Sequence, residues 1–331
     1  MKKFFLLIGL FISVISFVAC DVEFSPNEEW SEQMMVYSVL DQDDDTTFVR
    51  IQKVFLGSGN ALEYAKDKDS VYYPEDALEV KMYSYYISDT NTVVDVFNFD
   101  CKMVQKDEGD FCGGMVPLYY CVTKNRLSAD KYYRLEIINK NTGTKVTAST
   151  YLITDYSIKT NNFTFNENSG NRMSVRWSNM DLANADENVI AKRFQVNIRF
   201  NYRKDYQIHH VDIPVVAKTN ERNTSAEMSG AVNKNDIVTY LREKLHGVEG
   251  ISWYDPAPFE INVLACDREM FDYISINNAV ENTLNYKPSY TNINGGFGLF
   301  ASRRTHISKS YSTPQVDQDL RTKLNGVITF Q

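Results

Sequence analysis

Residues 192–206 read KRFQVNIRFNYRKDY, a segment in which apolar and polar side chains alternate. In an extended chain, one face of this segment carries Phe194, Val196, Ile198 and Phe200. Residues 171–181, NRMSVRWSNMD, repeat the pattern with Met173, Val175 and Trp177. A period of two is typical of half-buried β-strands. The sequence therefore predicts a mainly β protein with Trp177 in its core.

The first half of the chain contains shorter segments of the same kind, separated by turn residues. They read MMVYSVL (34–40), TTFVRIQKVFL (46–56), ALEVKMYSYYI (77–87), TVVDVFNF (92–99), VPLYYCVT (116–123) and KYYRLEIINKNTGTKVTASTYLI (131–153). The 21 Tyr and 19 Phe residues of the chain also favour strands. About seven strands at this spacing are typical of an antiparallel sandwich. We therefore predict a β-sandwich over residues 31–153.

The chain is longer than one hydrophobic core usually serves, because it has 331 residues. We predict a second sandwich over residues 157–331, so that the two tandem domains resemble immunoglobulin or fibronectin-type sandwiches. One or two helices are expected in the second domain. The clearer helix spans residues 233–246, where Asn233 or Asn235 can cap its start and Gly247 can end it. The other lies within ACDREMFDYISINN, residues 265–278.

The N-terminus has the pattern of an export signal. Lys2 and Lys3 precede an apolar segment, FFLLIGLFISVISF, which is too short for a comfortable membrane span. We predict that residues 1–19 are a lipoprotein signal peptide and that Cys20 becomes the lipidated first residue of the mature chain. Two or more acyl chains anchor a protein stably without a spanning helix. The alternative is that Cys20 is an ordinary cysteine near an ordinary cleavage site.

Residues 20–30 read CDVEFSPNEEW and are predicted to form an acidic tether. Removing residues 1–19 takes away two of the 35 basic residues and none of the 43 acidic ones, so the formal net charge changes from −8 to −10. Proteins that bind nucleic acids usually carry a basic footprint. A nucleic-acid partner is therefore not expected.

Residues 290–304, YTNINGGFGLFASRR, contain the most specific motif of the chain, with Asn292, Gly295, Gly296 and Gly298. This arrangement resembles an uncharacterised family of Bacteroidota lipoproteins that are encoded beside SusC/SusD-type TonB-dependent transporters. The acidic residues after Cys20 also resemble the surface-export signal of such lipoproteins. The resemblance implies an outer-membrane location facing the cell surface and a TonB-dependent receptor as partner. It implies no reaction.

The glycines of this motif have a physical interpretation of their own. They allow positive φ or close approach of two backbones just before a strand begins. A phosphate-binding loop would need a helix to follow the glycines. Because residues 300–308, FASRRTHIS, read as a strand, nucleotide binding is not predicted.

No metal or cofactor site is predicted from the titratable residues. The adjacent His209 and His210 would point to opposite faces of a strand, and all four histidines are interpreted as structural or solvent-facing. DQDDD, residues 41–45, could hold calcium through Asp41, Asp43 and Asp45. It lacks the other positions of a calcium-binding loop, so a solvated hairpin turn is favoured.

The cysteines that follow the signal peptide leave two alternatives open. They are Cys101, Cys112, Cys121 and Cys266. In an oxidising compartment, a disulfide between Cys101 and Cys112 could close the polar loop between them. Otherwise the cysteines are buried free thiols, which behave as small apolar side chains.

The many aromatic residues have two interpretations, ordinary packing inside the sandwiches or contact with a ligand. ISWYDPAPF, residues 251–259, offers Trp253 and Tyr254 as contacts for a glycan or peptide ligand. The resemblance to lipoproteins encoded beside TonB-dependent transporters implies a non-enzymatic accessory component of a TonB-dependent nutrient-uptake system, which binds a ligand or a partner. The alternatives are an adhesin or fimbria-like structural subunit, and a glycan or peptide hydrolase whose site the sequence does not reveal.

Overall fold

The computed structural model describes residues 33–54, 61–107, 109, 112–160, 162–165, 171–180, 186–191, 193–219, 227–254, 258–280 and 290–327. Within these ranges the chain is mainly β, which confirms the predicted class. The signal peptide (1–19), the tether (20–30) and Cys20 lie outside them. Among the described helices, none is long and apolar enough to cross a membrane.

The strands of the first half follow the predicted alternating segments, except that residues 100–106 form a strand where a polar loop was expected. They are β1 (Gln33–Leu40), β2 (Thr46–Val54), β3 (Leu78–Tyr86), β4 (Asp89–Asn98), β5 (Asp100–Lys106), β6 (Gly114–Val122), β7 (Lys131–Asn139) and β8 (Lys145–Tyr151). Every second residue of β1 is buried, as a period of two requires. The order β4-β3-β7-β8 forms a separate antiparallel sheet.

The second half contributes longer strands. They are β9 (Tyr156–Ile158), β10 (Asn162–Phe163), β11 (Arg172–Asn179), β12 (Arg193–Lys204), β13 (Gln207–Thr219), β14 (Glu227–Asn233), β15 (Ser252–Trp253), β16 (Phe259–Cys266) and β17 (Gly296–Ser312). β14, β11 and β9 form a small antiparallel sheet. Trp177 on β11 is fully buried and its ring centroid lies 5.7 Å from that of Phe194, so it belongs to the core.

The last strand, β17, connects the two halves of the chain. Its first part runs parallel to β1, with Gly296 opposite Met34, and its later part runs antiparallel to β16, with Ser310 opposite Phe259. The largest sheet therefore has the order β13-β12-β16-β17-β1-β2-β6-β5 and continues through both halves. Local periodicity did not predict this shared sheet, because pairing between distant segments leaves no pattern in either one.

The two largest hydrophobic cores of the described residues lie on this shared sheet. One contains Met34 of β1 together with Met82 of β3 and Leu135 of β7, so it joins the large sheet to the sheet of β4, β3, β7 and β8. The other contains Trp177 of β11 and Val196 of β12. Each core is thus enclosed between strands of different sheets.

The helices correct one expectation. They are α1 (Ala61–Tyr64), α2 (Lys68–Val71), α3 (Lys234–Lys244), α4 (Arg268–Val280) and α5 (Pro314–Leu324). α3 and α4 correspond to the helices predicted at 233–246 and 265–278, and Gly247 adopts φ 74° after α3. The prediction of one or two helices beyond residue 157 was wrong, because α5 is a third. Its signals were present: Thr313 caps the start, Pro314 occupies the first turn and Leu320 is buried.

Candidate functional site

The hairpin of β12 and β13 ends in an unusual turn. The two strands pair as far as Lys204 and Gln207, which leaves Asp205 and Tyr206 as the turn, with φ 51° and 63°. Two-residue turns with positive φ favour Asn and Gly, and a bulky residue in this region costs about 1 kcal/mol or more. The relative exposure of Tyr206 is 105%, so packing of its ring within the fold does not offset this strain. A strained, fully exposed tyrosine at a hairpin tip is a candidate for contact with a ligand.

An open cleft of about 400 Å³ lies beside this turn. It is lined by residues of the hairpin and of the 250–252 segment, among them Arg203, Lys204, Asp205, Tyr206, Gly250 and Ser252. β15 pairs with β12, with Ser252 opposite Arg203, and this pairing brings the second segment beside the hairpin. The volume is within the range of small-ligand sites. We call this feature the hairpin-tip cleft.

The structure separates the predicted pair Trp253 and Tyr254. Trp253 is 5% exposed, its ring packs edge-on against Phe200 at 5.3 Å, and the guanidinium of Arg321 lies 4.9 Å from its centroid, so the ring is buried within the fold. Tyr254 is partly exposed and lies under the guanidinium of Arg203, which is 5.4 Å from the ring centroid. Tyr254 thus adjoins the hairpin-tip cleft through Arg203. A binding role for Tyr254 stays a prediction.

A second cavity of about 430 Å³ lies where β16 meets α4, and its lining includes Glu187, Arg193, Asp267, Arg268 and Asp272. Burial removes water from the carboxyl of Asp267 and raises its pKa to about 7. Its oxygens accept hydrogen bonds from the hydroxyl of Thr150 at 2.5 Å and from the amides of Ser302 at 3.0 Å and Met270 at 2.9 Å. Asp267 therefore caps α4 and ties it to β8 and β17, a structural role.

The acidic turn DQDDD connects β1 to β2, as predicted. Asp43 contacts Arg304 at 3.0 Å, and Asp41 contacts Arg303 at 3.7 Å. Asp41 is only 6% exposed, which differs from the solvated turn we expected, and burial raises the pKa of its carboxyl. Within the described ranges, His, Cys, Asp and Glu side chains form no group of three that could hold a metal ion. The two arginines of β17 thus offset two of the four carboxylates of this turn.

His306 on β17 is held by a carboxylate as well. Its Nε2 lies 2.8 Å from an oxygen of Asp155, and the guanidinium of Arg304 lies 3.4 Å from the same oxygen. The ring of Tyr156 packs edge-on against His306 at 4.6 Å. These contacts join β17 to the segment between β8 and β9.

Of the two alternatives for Cys101 and Cys112, the structure has free thiols and not the disulfide. Both thiols are free, as are those of Cys121 and Cys266. β5 and β6 pair from Lys106 opposite Gly114 to Asp100 opposite Tyr120. The turn of this hairpin therefore begins after Lys106, five residues and about 17 Å along β5 from Cys101. Cys112 lies next to this turn, two residues before Gly114. A disulfide needs Cα atoms within about 7 Å.

The motif at residues 290–304 brings β17 against β1. Gly295 and Gly298 have φ 79° and 116°, and a Cβ on Gly296 would lie 2.6 Å from the carbonyl oxygen of Met34. The side-chain amide of Asn292 donates to the carbonyl of Phe300 at 2.7 Å and accepts from its N–H at 2.9 Å. Asn292 therefore pairs with β17 as a neighbouring strand would.

Comparison with known proteins adds no assignment: no protein-family profile matches the chain, and no curated protein matches it. The resemblance to Bacteroidota lipoproteins therefore stays a prediction.

Proposed function

We propose that the protein is a non-enzymatic lipoprotein of the outer membrane, facing the cell surface. In this proposal it binds a ligand as an accessory component of TonB-dependent nutrient uptake. Acyl chains on Cys20 hold it at the membrane, and residues 20–30 form its tether. Residues 31–153 and 157–331 form two tandem sandwich-like domains that share β17.

The observation that carries the binding role is the hairpin-tip cleft. There Tyr206 is fully exposed in a strained conformation beside an open space of about 400 Å³. Two carboxylates elsewhere are used to hold the fold, which supports a binding role over catalysis. Asp267 caps α4, and Asp155 contacts both His306 and Arg304.

The position of β17 bears on the adhesin alternative. Strand exchange between subunits adds a strand at an open sheet edge. β17, the last described strand of the chain, lies between β16 and β1 in the interior of the large sheet, so it cannot be exchanged without opening this sheet. The proposed accessory role is therefore preferred to a fimbria-like subunit.

The partner can be tested by crosslinking intact cells and purifying the tagged protein in mild detergent. We expect mass spectrometry to identify a TonB-dependent receptor at a stoichiometry near that of the bait. A parallel purification from cells that express an unrelated tagged lipoprotein sets the background. A chain that stays monomeric and recovers no such receptor above this background contradicts the proposed role.

Lipidation can be tested separately with Cys20→Ala. We expect this variant to move from the membrane fraction to the soluble fraction, because the acyl chains that anchor the protein need the thiol and amine of Cys20. The measurement is phase partition in detergent, together with the mass of the N-terminal peptide. Cys101→Ala is the matched control and should partition with the wild type. Retention of Cys20→Ala in the detergent phase would contradict the anchor.

A further inference from the structure

We propose that the hairpin-tip cleft binds a short oligosaccharide that carries carboxylates, such as a chain of uronate units. This inference rests on the proposed function and names the ligand class of the same site. Arg203 and Lys204 are the anion-binding groups. Tyr206 and Tyr254 are the rings that pack on the sugar.

Charge is the first argument. The chain as a whole carries a formal net charge of −8, yet the described residues that line the cleft include the cations Arg203 and Lys204 and, among carboxylates, only that of Asp205. The guanidinium of Arg203 presents paired N–H donors that match the two oxygens of a carboxylate. Lys204, the last residue of β12, also lines the cleft and adds a second positive charge. A local excess of positive charge on an acidic protein favours an anionic ligand at this place.

The rings are the second argument. Arg203 lies 5.4 Å from the ring centroid of Tyr254, and this contact places its planar cation beside an aromatic face. Tyr206 is fully exposed, so its ring can close over a ligand without breaking contacts in the core. Tyrosine combines an apolar face with a polar hydroxyl, which suits a sugar ring with hydroxyls at its edge.

The polar groups of the cleft are the third argument. Asp205 can accept hydrogen bonds from sugar hydroxyls, and the hydroxyl of Ser252 can both donate and accept. Gly250, with φ 73°, has no side chain, so its backbone groups are open to the cleft on the side formed by residues 250–252. The cleft therefore offers groups for hydroxyls as well as for carboxylates, and a simple anion would use only the latter.

The test is a calorimetric titration of the full chain in mild detergent. The probe is trigalacturonate, and maltotriose is the neutral control of equal length. We expect trigalacturonate to bind at least about tenfold more tightly, a difference of about 1.4 kcal/mol. We also expect its affinity to fall as the salt concentration rises, because the site is open to solvent. Hexaglutamate tests whether the cleft prefers an acidic peptide.

Variants locate the site. Arg203→Ala is expected to weaken trigalacturonate binding by at least about tenfold, since it removes a charge-assisted hydrogen-bond pair. Tyr206→Gly should also weaken binding while keeping or raising the melting temperature, because glycine adopts the positive φ of the turn without strain. A loss of binding in this variant is therefore not a loss of folding. Lys124→Ala, which removes another exposed lysine, should bind as the wild type does.

Several results would overturn the inference: no heat of binding with trigalacturonate at millimolar concentration, equal affinity for maltotriose, tighter binding of hexaglutamate, or an unchanged affinity of Arg203→Ala. If crosslinking recovers a TonB-dependent receptor while trigalacturonate does not bind, this inference is wrong and the proposed accessory role stands. If trigalacturonate binds and no receptor is recovered, the ligand class is supported and the transport association is wrong.

Discussion

Gly298→Ala is expected to lower the free energy of unfolding by about 4 kcal/mol, enough to unfold a marginally stable chain. Gly298 has φ 116°, a region that side-chain-bearing residues avoid. A Cβ there would lie 2.0 Å from the carbonyl oxygen of Val36, which is the partner of Gly298 in the parallel pairing of β1 and β17. Backbone atoms on both strands would have to separate, so pairing at this point of the shared sheet would weaken.

The measurement is chemical denaturation followed by circular dichroism. Gly143→Ala is the matched control, because Gly143 also has positive φ, 75°, but nothing lies within 4 Å of a Cβ there. Gly143→Ala should lower the free energy of unfolding by about 1 kcal/mol, which is the effect of the positive φ alone. The difference between the two variants isolates the contact with β1. Equal losses in both variants would contradict the close approach of the two strands.

Asp267 is expected to make the protein less stable as pH rises from about 4 to about 7. The folded pKa is raised to about 7 by burial, whereas an unfolded aspartate titrates near about 4. Between these values the folded state holds a proton that the unfolded state has lost, so the stabilisation present below pH 4 disappears as pH rises through 7. Over pH 5 to 8 the loss amounts to about 3 kcal/mol.

The experiment compares wild type with Asp267→Asn by denaturation across this pH range. Asparagine cannot ionise, so the gap in unfolding free energy between the two proteins should shift by about 3 kcal/mol against the wild type as pH rises. Asp67→Asn is the control: Asp67 caps α2 at an exposed site, and its hydrogen bond to Ser70 lowers its pKa. The contribution of the Asp67 carboxylate to the free energy of unfolding should therefore change in the opposite direction, because it is lost as pH falls. The opposite result would be a free energy of unfolding that rises with pH in the wild type relative to Asp267→Asn. In that case the three hydrogen bonds to this carboxyl stabilise its charged form by more than burial destabilises it, and the prediction is wrong.

Period-two patterns predicted the strands well, because the pattern of each strand depends only on which of its faces is buried. Phe194, Val196 and Trp177 are all buried, as their spacing predicted. Trp253 was harder to interpret, since a tryptophan ring can pack in a core or contact a ligand. Only the observed packing against Phe200 and Phe259 shows that this ring belongs to the core. Tyr206 was missed as a site residue although the Asp-Tyr pair between two alternating strands indicated a hairpin turn.

The candidate site and the shared sheet required the fold. Arg203 and Ser252 are distant in sequence, and they line one cleft because β15 pairs with β12. Asp267 looked like one of many carboxylates until its contacts with Thr150 and Ser302 placed it at a junction of β8, β17 and α4.

From its sequence alone this protein is a mainly β chain, with strands and helices near their observed positions and glycines that mark a tight approach. These properties follow from local periodicity and backbone freedom, which each segment carries by itself. The tertiary structure alone decided that β17 joins both halves, that Cys101 and Cys112 lie apart, and that a cleft opens beside Tyr206. Such features arise from the register between segments far apart in the chain, and register depends on how all the faces pack together.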